Sequence, residues 1–313
     1  MRTFSALVVA TGLVISLAAC SSTPADQLAA CTPSVSEGSI SKLVEATGAS
    51  EPTVNFPTPL IATSTQRSFE TVGEGRILKP GDIAEIQYSQ LSGSDASPVA
   101  TSWDTGSLLY PVGSKDFIAD LLACTPIGSR IVATVPVSSY AAEGAEIPEG
   151  ATAVFVIDVL DGFAGKADGT VHLQQNGFPA VVTAPNGQPG FQIPKTDAPT
   201  EFLTEQLQTG HGDTVEEGDD VVVQMAGIQW TTNTILTSTW ETSPLRTSAS
   251  ASDTVDTDNG IFLPGTVKQK LVGKTVGSQL LFVVPAKYGF EGGGGIAADE
   301  TLVYVVDILA IQK

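Results

Sequence analysis

One pattern occurs twice in this chain, and the duplication constrains the fold more strongly than any other feature of the sequence. The segment LKPGDIAEIQYSQL (78–91) recurs as VEEGDDVVVQMAGI (215–228), an offset of 137 residues between the two Gly-Asp pairs (218 − 81). Trp103 in VATSW recurs as Trp240 in LTSTW at the same offset (240 − 103). A match that keeps its register across separate anchors predicts two copies of one folding unit.

The last part of each copy repeats at a longer offset. IGSRIVATVP (127–136) recurs as VGSQLLFVVP (276–285), and TAVFVIDVL (152–160) recurs as TLVYVVDIL (301–309), both 149 residues later (301 − 152). The second copy therefore carries 12 additional residues (149 − 137). We assign them to TSASASDTVDTD (247–258), whose Ser, Thr and Asp content predicts a flexible surface loop.

Each copy has the pattern of antiparallel strands with one short helix. DIAEIQY (82–88) alternates apolar with polar side chains, as a strand with one buried face does. The central apolar runs at 152–160 and 301–309 suit buried strands, and Val, Ile and Thr favour pleated sheet. Apolar residues recur at helical spacing before the third strand of each copy: Phe117, Ile118, Leu121 and Leu122 in the first, Val267 and Leu271 in the second. The predicted class is α+β, a bent antiparallel sheet wrapped on one short helix, made twice.

The N-terminal residues predict export and a lipid anchor. FSALVVATGLVISLAAC (4–20) is an apolar stretch too short for a comfortable membrane span, and it ends in small residues before Cys20. This ending resembles the lipobox of bacterial lipoproteins, which implies that residues 1–19 are a signal peptide and that Cys20 is lipidated. An ordinary secretory signal with a chance cysteine is the alternative. The predicted location is the extracytoplasmic face of the cell membrane.

The 313 residues provide enough length for two buried cores. We divide them into the signal peptide, a tether over 20–50, a first domain over 51–163, a segment 164–200 that is either a linker or added strands, and a second domain over 201–313. The net charge of −19 argues against nucleic acid as a partner, because the protein and nucleic acid are both negatively charged and repel each other.

Two further cysteines and two histidines complete the set of reactive side chains. Cys31 in the tether and Cys124 in the first domain can pair outside the cytoplasm, or can remain as one buried and one exposed thiol. His172 and His211 are isolated in polar surroundings and are expected on surface loops. The spacing of these residues predicts no metal site.

The motifs and their order resemble the FKBP-type peptidyl-prolyl isomerases. The first copy carries the resemblance through PGDIAEIQY, IGSRIVATVP and IPEGATAVFVIDVL. The second carries it through GDDVVVQMAG, LTSTW, FLPGTVKQKLVGKTVGSQLLFVVPAKYGFEGGGG and TLVYVVDIL. Together these cover about 66–162 and 201–312. The resemblance implies an FKBP-like fold in each copy, and an enzyme that speeds rotation about X–Pro bonds in exported, proline-containing polypeptides without a cofactor.

The resemblance also implies a set of pocket residues. In the first copy these are Tyr88, Val99, Ile118 (or Phe117) at the floor, Tyr140, Ile147 and Phe155, with Leu108 or Tyr110 as a wall. In the second copy they are Met225, Leu236, Leu263, Val267, Phe290, Ile296 and Tyr304.

Both copies depart from the family pattern at a polar position. The family's Phe-Asp pair is Val99-Ala100 in the first copy and Leu236-Thr237 in the second, and neither copy keeps the floor tryptophan. Loss of the aspartate removes a polar contact while leaving an apolar hole. Two functions therefore stay open: a slow prolyl isomerase, or a non-catalytic binding or chaperone lipoprotein with the same scaffold. A tandem immunoglobulin-like adhesion module fits the β content but not the helical stretches.

Overall fold

A computed structural model describes residues 31–256, 260–289 and 296–312. In the first half its elements are β1 (Glu45–Thr47), β2 (Thr53–Asn55), β3 (Gln66–Thr71), β4 (Asp82–Ser92), β5 (Pro98–Thr101), β6 (Leu108–Pro111), α1 (Phe117–Leu122), β7 (Arg130–Pro136) and β8 (Thr152–Ala164). In the second half they are β9 (Thr170–Val171), β10 (Ala180–Thr183), β11 (Pro189–Gln192), β12 (Leu203–Thr209), β13 (Asp220–Gln229), β14 (Ile235–Ser238), β15 (Leu245–Ser248), β16 (Thr254–Asp256), β17 (Ile261–Leu263), α2 (Gly265–Lys268), β18 (Gln279–Val284) and β19 (Leu302–Gln312). Short 3-10 turns cover Ser41–Leu43, Val137–Ser139, Gln269–Leu271 and Ala286–Tyr288.

The two halves have the same strand order. The first sheet runs β3-β7-β8-β4-β5, with β6 pairing the other end of β4, and the second runs β12-β18-β19-β13-β14, with β15 pairing β13. Every pair is antiparallel. Small features repeat as well: the amide of Tyr88 donates to Ser102 Oγ, and that of Met225 donates to Thr239 Oγ1, both at 2.9 Å. The described chain is thus mostly antiparallel sheet with few, short helices, which fits the predicted fold class.

The repeated Gly-Asp pairs have a conformational reason. Gly81 and Gly218 turn the chain into β4 and β13 with φ of +93° and +90°, a region that side-chain-bearing residues rarely adopt. The aspartates that follow accept from backbone amides three residues earlier, Asp82 from Lys79 and Asp219 from Glu216. The same turn therefore starts a long strand at the equivalent place in each copy.

The inner face of each sheet holds the main core. In the first sheet Ile86, Ile131 and Ile157 pack with Leu121 and Leu122 of α1. Arg67 of β3 is buried and donates to the carbonyl oxygens of Leu121 and Ala123, which satisfies the C-terminal end of this helix. In the second sheet Val267 and Leu271 take the place of the helical leucines.

The outer face of each sheet is covered by a hairpin that precedes it. The β1–β2 region places Val44, Ala46 and Phe56 on Val132, Val154 and Val156. The β10–β11 hairpin places Val181 and Phe191 on the equivalent Leu281, Val303 and Val305. The described part of the predicted tether, from Cys31, is therefore not a free tether: its one short apolar alternation, at 44–46, is enough to pack on the sheet. Residues 164–200 add strands rather than forming a loose linker, since β9 also pairs β12.

The structure also bears on the predictions for the insertion, the cysteines and the histidines. The 12-residue insertion is not loop throughout, because β16 lies within it and pairs with β17. Cys31 and Cys124 form a disulfide with a Cα–Cα distance of 5.8 Å, which ties the N-terminal segment to the end of α1. His172 and His211 are exposed, and each ring contacts a threonine hydroxyl. Within the described ranges no helix has the length and hydrophobicity to cross a bilayer.

The two copies contact each other through equivalent strands. Arg246 of β15 donates to Glu85 at 3.1 Å and to the carbonyl oxygen of Ser107 at 2.6 Å. By the offset of 137, Arg246 corresponds to Leu109 and Glu85 corresponds to Val222, and these two apolar residues both belong to the cluster between the copies. The interface is therefore close to two-fold symmetric, with an ion pair in one half and apolar side chains in the other.

Candidate functional site

Four aromatic rings meet at one end of the inner face of the first sheet. Phe155 contacts the other three rings, and the ring centroid of Phe117 is 5.2 Å from that of Phe155 and 4.9 Å from that of Tyr140, on which it stacks. Tyr88 is 6.4 Å and Tyr140 is 6.3 Å from Phe155. We call these four residues the aromatic cluster. It brings together three of the predicted pocket residues, Tyr88, Tyr140 and Phe155.

Strand register and a helix cap place these rings. Tyr88 opposes Ile157 and Gln90 opposes Phe155 on the antiparallel pair β4–β8, so alternate residues of both strands share the inner face. Asp116 caps α1 by accepting from the amide of Ile118 at 2.7 Å, which fixes Phe117 as the first helical residue. The side chain that contacts the Phe155 ring is therefore that of Phe117 and not that of Ile118. Ile118 is half-buried and packs on the same core.

A cavity of about 400 Å³ opens on the other side of Tyr140. Its walls are mainly apolar and come from three segments, 59–61, 90–99 and 137–153; they include Ile61, Val99, Val137 and Pro148. Gln90 Nε2 donates to the Tyr140 hydroxyl at 3.2 Å, and both residues line the cavity. We call this space the Tyr140 cavity.

The remaining predicted residues of the first copy lie around these two features. Val99 lines the Tyr140 cavity and is 58 % exposed. Ile147 is half-buried in the loop beside Pro148, outside the cavity lining. Of the two alternatives for a wall, Tyr110 packs on the inner core beside the aromatic cluster, whereas Leu108 is exposed. The structure thus divides the predicted pocket between two neighbouring features that share Tyr140.

The hydroxyl groups at the site are neutral donors. Burial raises the pKa of Tyr140, and burial together with the Asp116 carboxylate raises the pKa of Tyr110. Because Gln90 already donates to the Tyr140 oxygen, the hydroxyl proton of Tyr140 is free to donate to a ligand carbonyl. Among the described residues no group of three or more His, Cys, Asp or Glu side chains could hold a metal ion.

The equivalent region of the second copy is filled by its own side chains. Met225, Leu263, Val267 and Tyr304 have no exposed surface, and Leu236 packs against the same cluster. Ile296 is half-buried, and Phe290 lies outside the described residues. A ligand cannot touch the four buried side chains without moving them, so this region has the character of a core.

Two differences in sequence between the copies explain why this region of the second copy is filled. Gly227 stands at the position of Gln90, and Tyr304 stands at that of Phe155. A Cβ atom on Gly227 would lie 2.7 Å from the Tyr304 ring, so the glycine makes room for the larger aromatic side chain. Burial raises the pKa of Tyr304, whose hydroxyl has no hydrogen-bond partner among the described residues.

Comparisons with known proteins agree with the sequence pattern. No protein-family model matches the chain. An FK506-binding protein of Streptomyces anulatus is 26 % identical over 130 residues, which cover 40 % of this chain and 97 % of the relative. This match supports a relation to the FKBP-type isomerases, and its extent is close to one copy of the duplicated unit.

Solved structures also align with parts of this chain. The three FKBP domains of wheat FKBP73 align with 80 % of this chain and 95 % of their own at 14 % identity, with a TM-score of 0.31. FkpA from Escherichia coli aligns with 44 % of this chain and 53 % of its own at 18 % identity, with a TM-score of 0.30. A peptidyl-prolyl cis-trans isomerase from Pseudomonas syringae aligns with 36 % and 76 % at 19 % identity, with a TM-score of 0.28.

Several residues of the cavity, including Gln90, were not predicted from the sequence. Gln90 was not among the predicted pocket residues, yet it holds the Tyr140 hydroxyl and lines the cavity. The available signal was its spacing, because Gln90 follows Tyr88 by two residues on a strand and therefore shares its face. Its partner could not be found in this way, since Tyr140 lies in a loop 50 residues further along the chain.

Proposed function

We propose that this protein is a peptidyl-prolyl cis-trans isomerase whose first copy binds X–Pro segments of exported polypeptides. The observation that carries the proposal is the Tyr140 cavity. This apolar space is lined by the ring of Tyr140, which stacks on Phe117. The curated relative supports the same reading. The second copy has a structural role in this proposal, because its equivalent side chains are buried.

The proposed chemistry needs no nucleophile. The barrier to rotation about a peptide bond is about 18–20 kcal/mol, because rotation removes the amide resonance. The planar amide has a greater charge separation than the twisted one, so an apolar site disfavours the planar form more and lowers the barrier. In the first copy the proline ring would lie against Tyr140 and Val99. The Tyr140 hydroxyl, held by Gln90, would donate to a carbonyl of the substrate and fix its orientation.

A non-catalytic binding or chaperone role is the second candidate. The four rings of the aromatic cluster contact one another, and Val99-Ala100 replaces the family's Phe-Asp pair. Both features favour binding over turnover, because a proline ring cannot enter the cluster unless a ring rotates. In this alternative the Tyr140 cavity holds proline-containing segments without accelerating their isomerisation.

An isomerisation assay separates the two candidates. We expect the purified full-length protein to accelerate cis-trans exchange of a short X–Pro peptide, measured by exchange NMR at a temperature where the uncatalysed reaction takes tens of seconds or more. Binding of an unfolded, proline-rich polypeptide is measured in parallel. Binding without acceleration would reject the isomerase and support the chaperone role.

We also propose that Cys20 anchors the protein at the extracytoplasmic face of the membrane. The lipobox-like Leu17-Ala18-Ala19-Cys20 supports this, and a Cys31–Cys124 disulfide is suited to an oxidising compartment. We expect Cys20→Ser to release the protein from the membrane fraction and to abolish labelling by a radioactive fatty acid, because two or more acyl chains are needed for stable anchoring. Cys31→Ser is the matched control and should stay membrane-bound; loss of both variants from the membrane, or of neither, would contradict the anchor.

A further inference from the structure

The segments that form the Tyr140 cavity are acidic and contain no basic side chain. Residues 56–62, 88–101 and 137–153 contain Asp95, Glu143, Glu146 and Glu149 but no Lys or Arg. Glu149 lines the cavity, and Asp95 follows Ser94, which also lines it. Two of the segments that line the apolar space therefore carry acidic residues at or next to the lining.

These acidic groups are available to a ligand. Glu143, Glu146 and Glu149 are exposed in the loop that leads from Tyr140 to β8. The carboxylate of Asp95 accepts hydrogen bonds from the Ser97 hydroxyl at 2.7 Å and from the Ser97 amide at 3.1 Å. These bonds lower the pKa of Asp95 and keep it charged. The basic residues of the first copy that form ion pairs lie elsewhere: Arg76 with Asp82, and Arg130 with Asp158.

The second copy lacks this arrangement. The segment equivalent to the acidic loop, 286–302, contains Glu291, Asp299 and Glu300 but also Lys287, which pairs with Glu201 at 3.1 Å. The segment equivalent to 88–101, residues 225–238, carries no charged residue. Carboxylates therefore occur in this loop of both copies, whereas a rim without a basic residue beside an open apolar cavity is found in the first copy.

We infer that the first copy selects X–Pro segments that carry a lysine or arginine within a few residues of the proline. The inference rests on the proposed binding of X–Pro segments and adds the class of substrate. The proline and its apolar neighbour occupy the Tyr140 cavity, while a cationic side chain reaches the rim formed by Asp95, Glu143, Glu146 and Glu149. Charge complementarity of this kind acts mainly on selectivity and on the rate of association, and it weakens with salt.

The test compares three peptides that differ only beside an identical Leu-Pro unit, where they carry two lysines, two glutamines or two glutamates. For the full-length protein at low ionic strength we expect kcat/KM to be about 3- to 10-fold higher for the lysine peptide than for the glutamine peptide, and lowest for the glutamate peptide. The preference should fall as salt is raised, because the Debye length shortens to about 8 Å near 0.15 M.

Matched charge variants locate the effect. The triple variant Glu143→Gln, Glu146→Gln and Glu149→Gln should lose most of the preference for the lysine peptide over the glutamine peptide. A control with Glu216→Gln, Glu217→Gln and Glu241→Gln removes three exposed charges from the second copy and should keep the preference. Equal rates on all three peptides, or a preference that both triple variants keep, would overturn the inference.

Equilibrium binding separates this inference from the proposed activity. If the protein accelerates no peptide, the same three peptides are titrated by fluorescence anisotropy. One result is that the lysine peptide binds more tightly than the glutamine peptide to the wild type and to the Glu216, Glu217, Glu241 control, but not to the Glu143, Glu146, Glu149 triple variant. That result would reject the isomerase and still support the selection of cationic peptides. Acceleration of all peptides without any charge preference would support the isomerase and reject the selection.

Discussion

Asp307→Asn is expected to stabilise the protein at neutral pH by about 1–3 kcal/mol. Asp307 of β19 is almost completely buried, and burial raises its pKa to about 6. Its carboxylate accepts from the amide of Ala167 and from Gln279 Nε2, both at 2.8 Å, and the exposed Lys166 is a nearby basic group. An asparagine keeps both contacts if Gln279 rotates its amide, and it removes a charge that is costly to bury.

The sign of the pH dependence follows from the raised pKa. The folded protein holds the proton of Asp307 up to about pH 6, whereas the unfolded chain releases it near 3.8. Folding therefore takes up a proton between these values, and this group's contribution to the free energy of unfolding falls as the pH rises from about 4 to 6. The gain from Asp307→Asn should be larger at pH 7.5 than at pH 4.5.

The equivalent position in the first copy provides a control of opposite sign. Asp158 stands 149 residues before Asp307, but there the facing residue is Arg130 instead of Gln279. Arg130 donates to both carboxylate oxygens of Asp158 at 2.6 and 2.8 Å and also to the carbonyl oxygen of Gly48 at 2.6 Å. Asp158→Asn leaves a largely buried guanidinium without its counter-charge and should cost about 2 kcal/mol.

Urea unfolding followed by circular dichroism measures both variants at each pH. Duplicated positions with the same substitution should shift the midpoint in opposite directions at pH 7.5. A destabilised Asp307→Asn variant at that pH would show that the carboxylate contributes favourable contacts that outweigh its burial, and the account of this site would then be wrong.

Removal of the Cys31–Cys124 disulfide is expected to lower the free energy of unfolding by about 2–5 kcal/mol. The bridge joins residues 93 positions apart, so it restricts a large part of the unfolded first copy. It also holds the N-terminal segment beside the C-terminal end of α1, where the buried Arg67 donates to backbone carbonyl oxygens. The double variant Cys31→Ala, Cys124→Ala should therefore unfold at lower urea concentration than the oxidised protein.

A reductant provides the control for this prediction. Dithiothreitol should lower the midpoint of the wild type towards that of the double variant and should leave the double variant unchanged. An oxidised wild type and a double variant with equal midpoints would show that the bridge does not stabilise the folded state.

The repeated sequence predicts the sheets well because their determinants are local and occur twice. Alternation in 82–88 and the apolar runs at 152–160 and 301–309 specify strands, and the equal offsets specify one strand order for both copies. The covering hairpins were harder to predict, since 44–46 and 180–192 form short strands whose burial depends on the sheet they meet.

The site was less predictable because its side chains converge from distant parts of the chain. Whether Phe117 or Ile118 faces Phe155 depends on where the helix starts, and the Asp116 cap decides this. The closure of the second copy depends on a compensating pair, Gly227 and Tyr304, which lie on neighbouring strands. Sequence alone gives the residue types at these positions and not the space between them.

We propose that Tyr140 of the first copy, and not the filled region of the second, contacts the X–Pro bond during isomerisation. The most direct test is kcat/KM for peptide isomerisation in Tyr140→Ala, with Met225→Ala as the control in the second copy. We expect Tyr140→Ala, at a partly exposed position, to lose about 10-fold or more in kcat/KM. We expect Met225→Ala to keep the activity while losing about 2–4 kcal/mol of stability. Unchanged activity in Tyr140→Ala, or loss of activity in a folded Met225→Ala variant, would contradict the account.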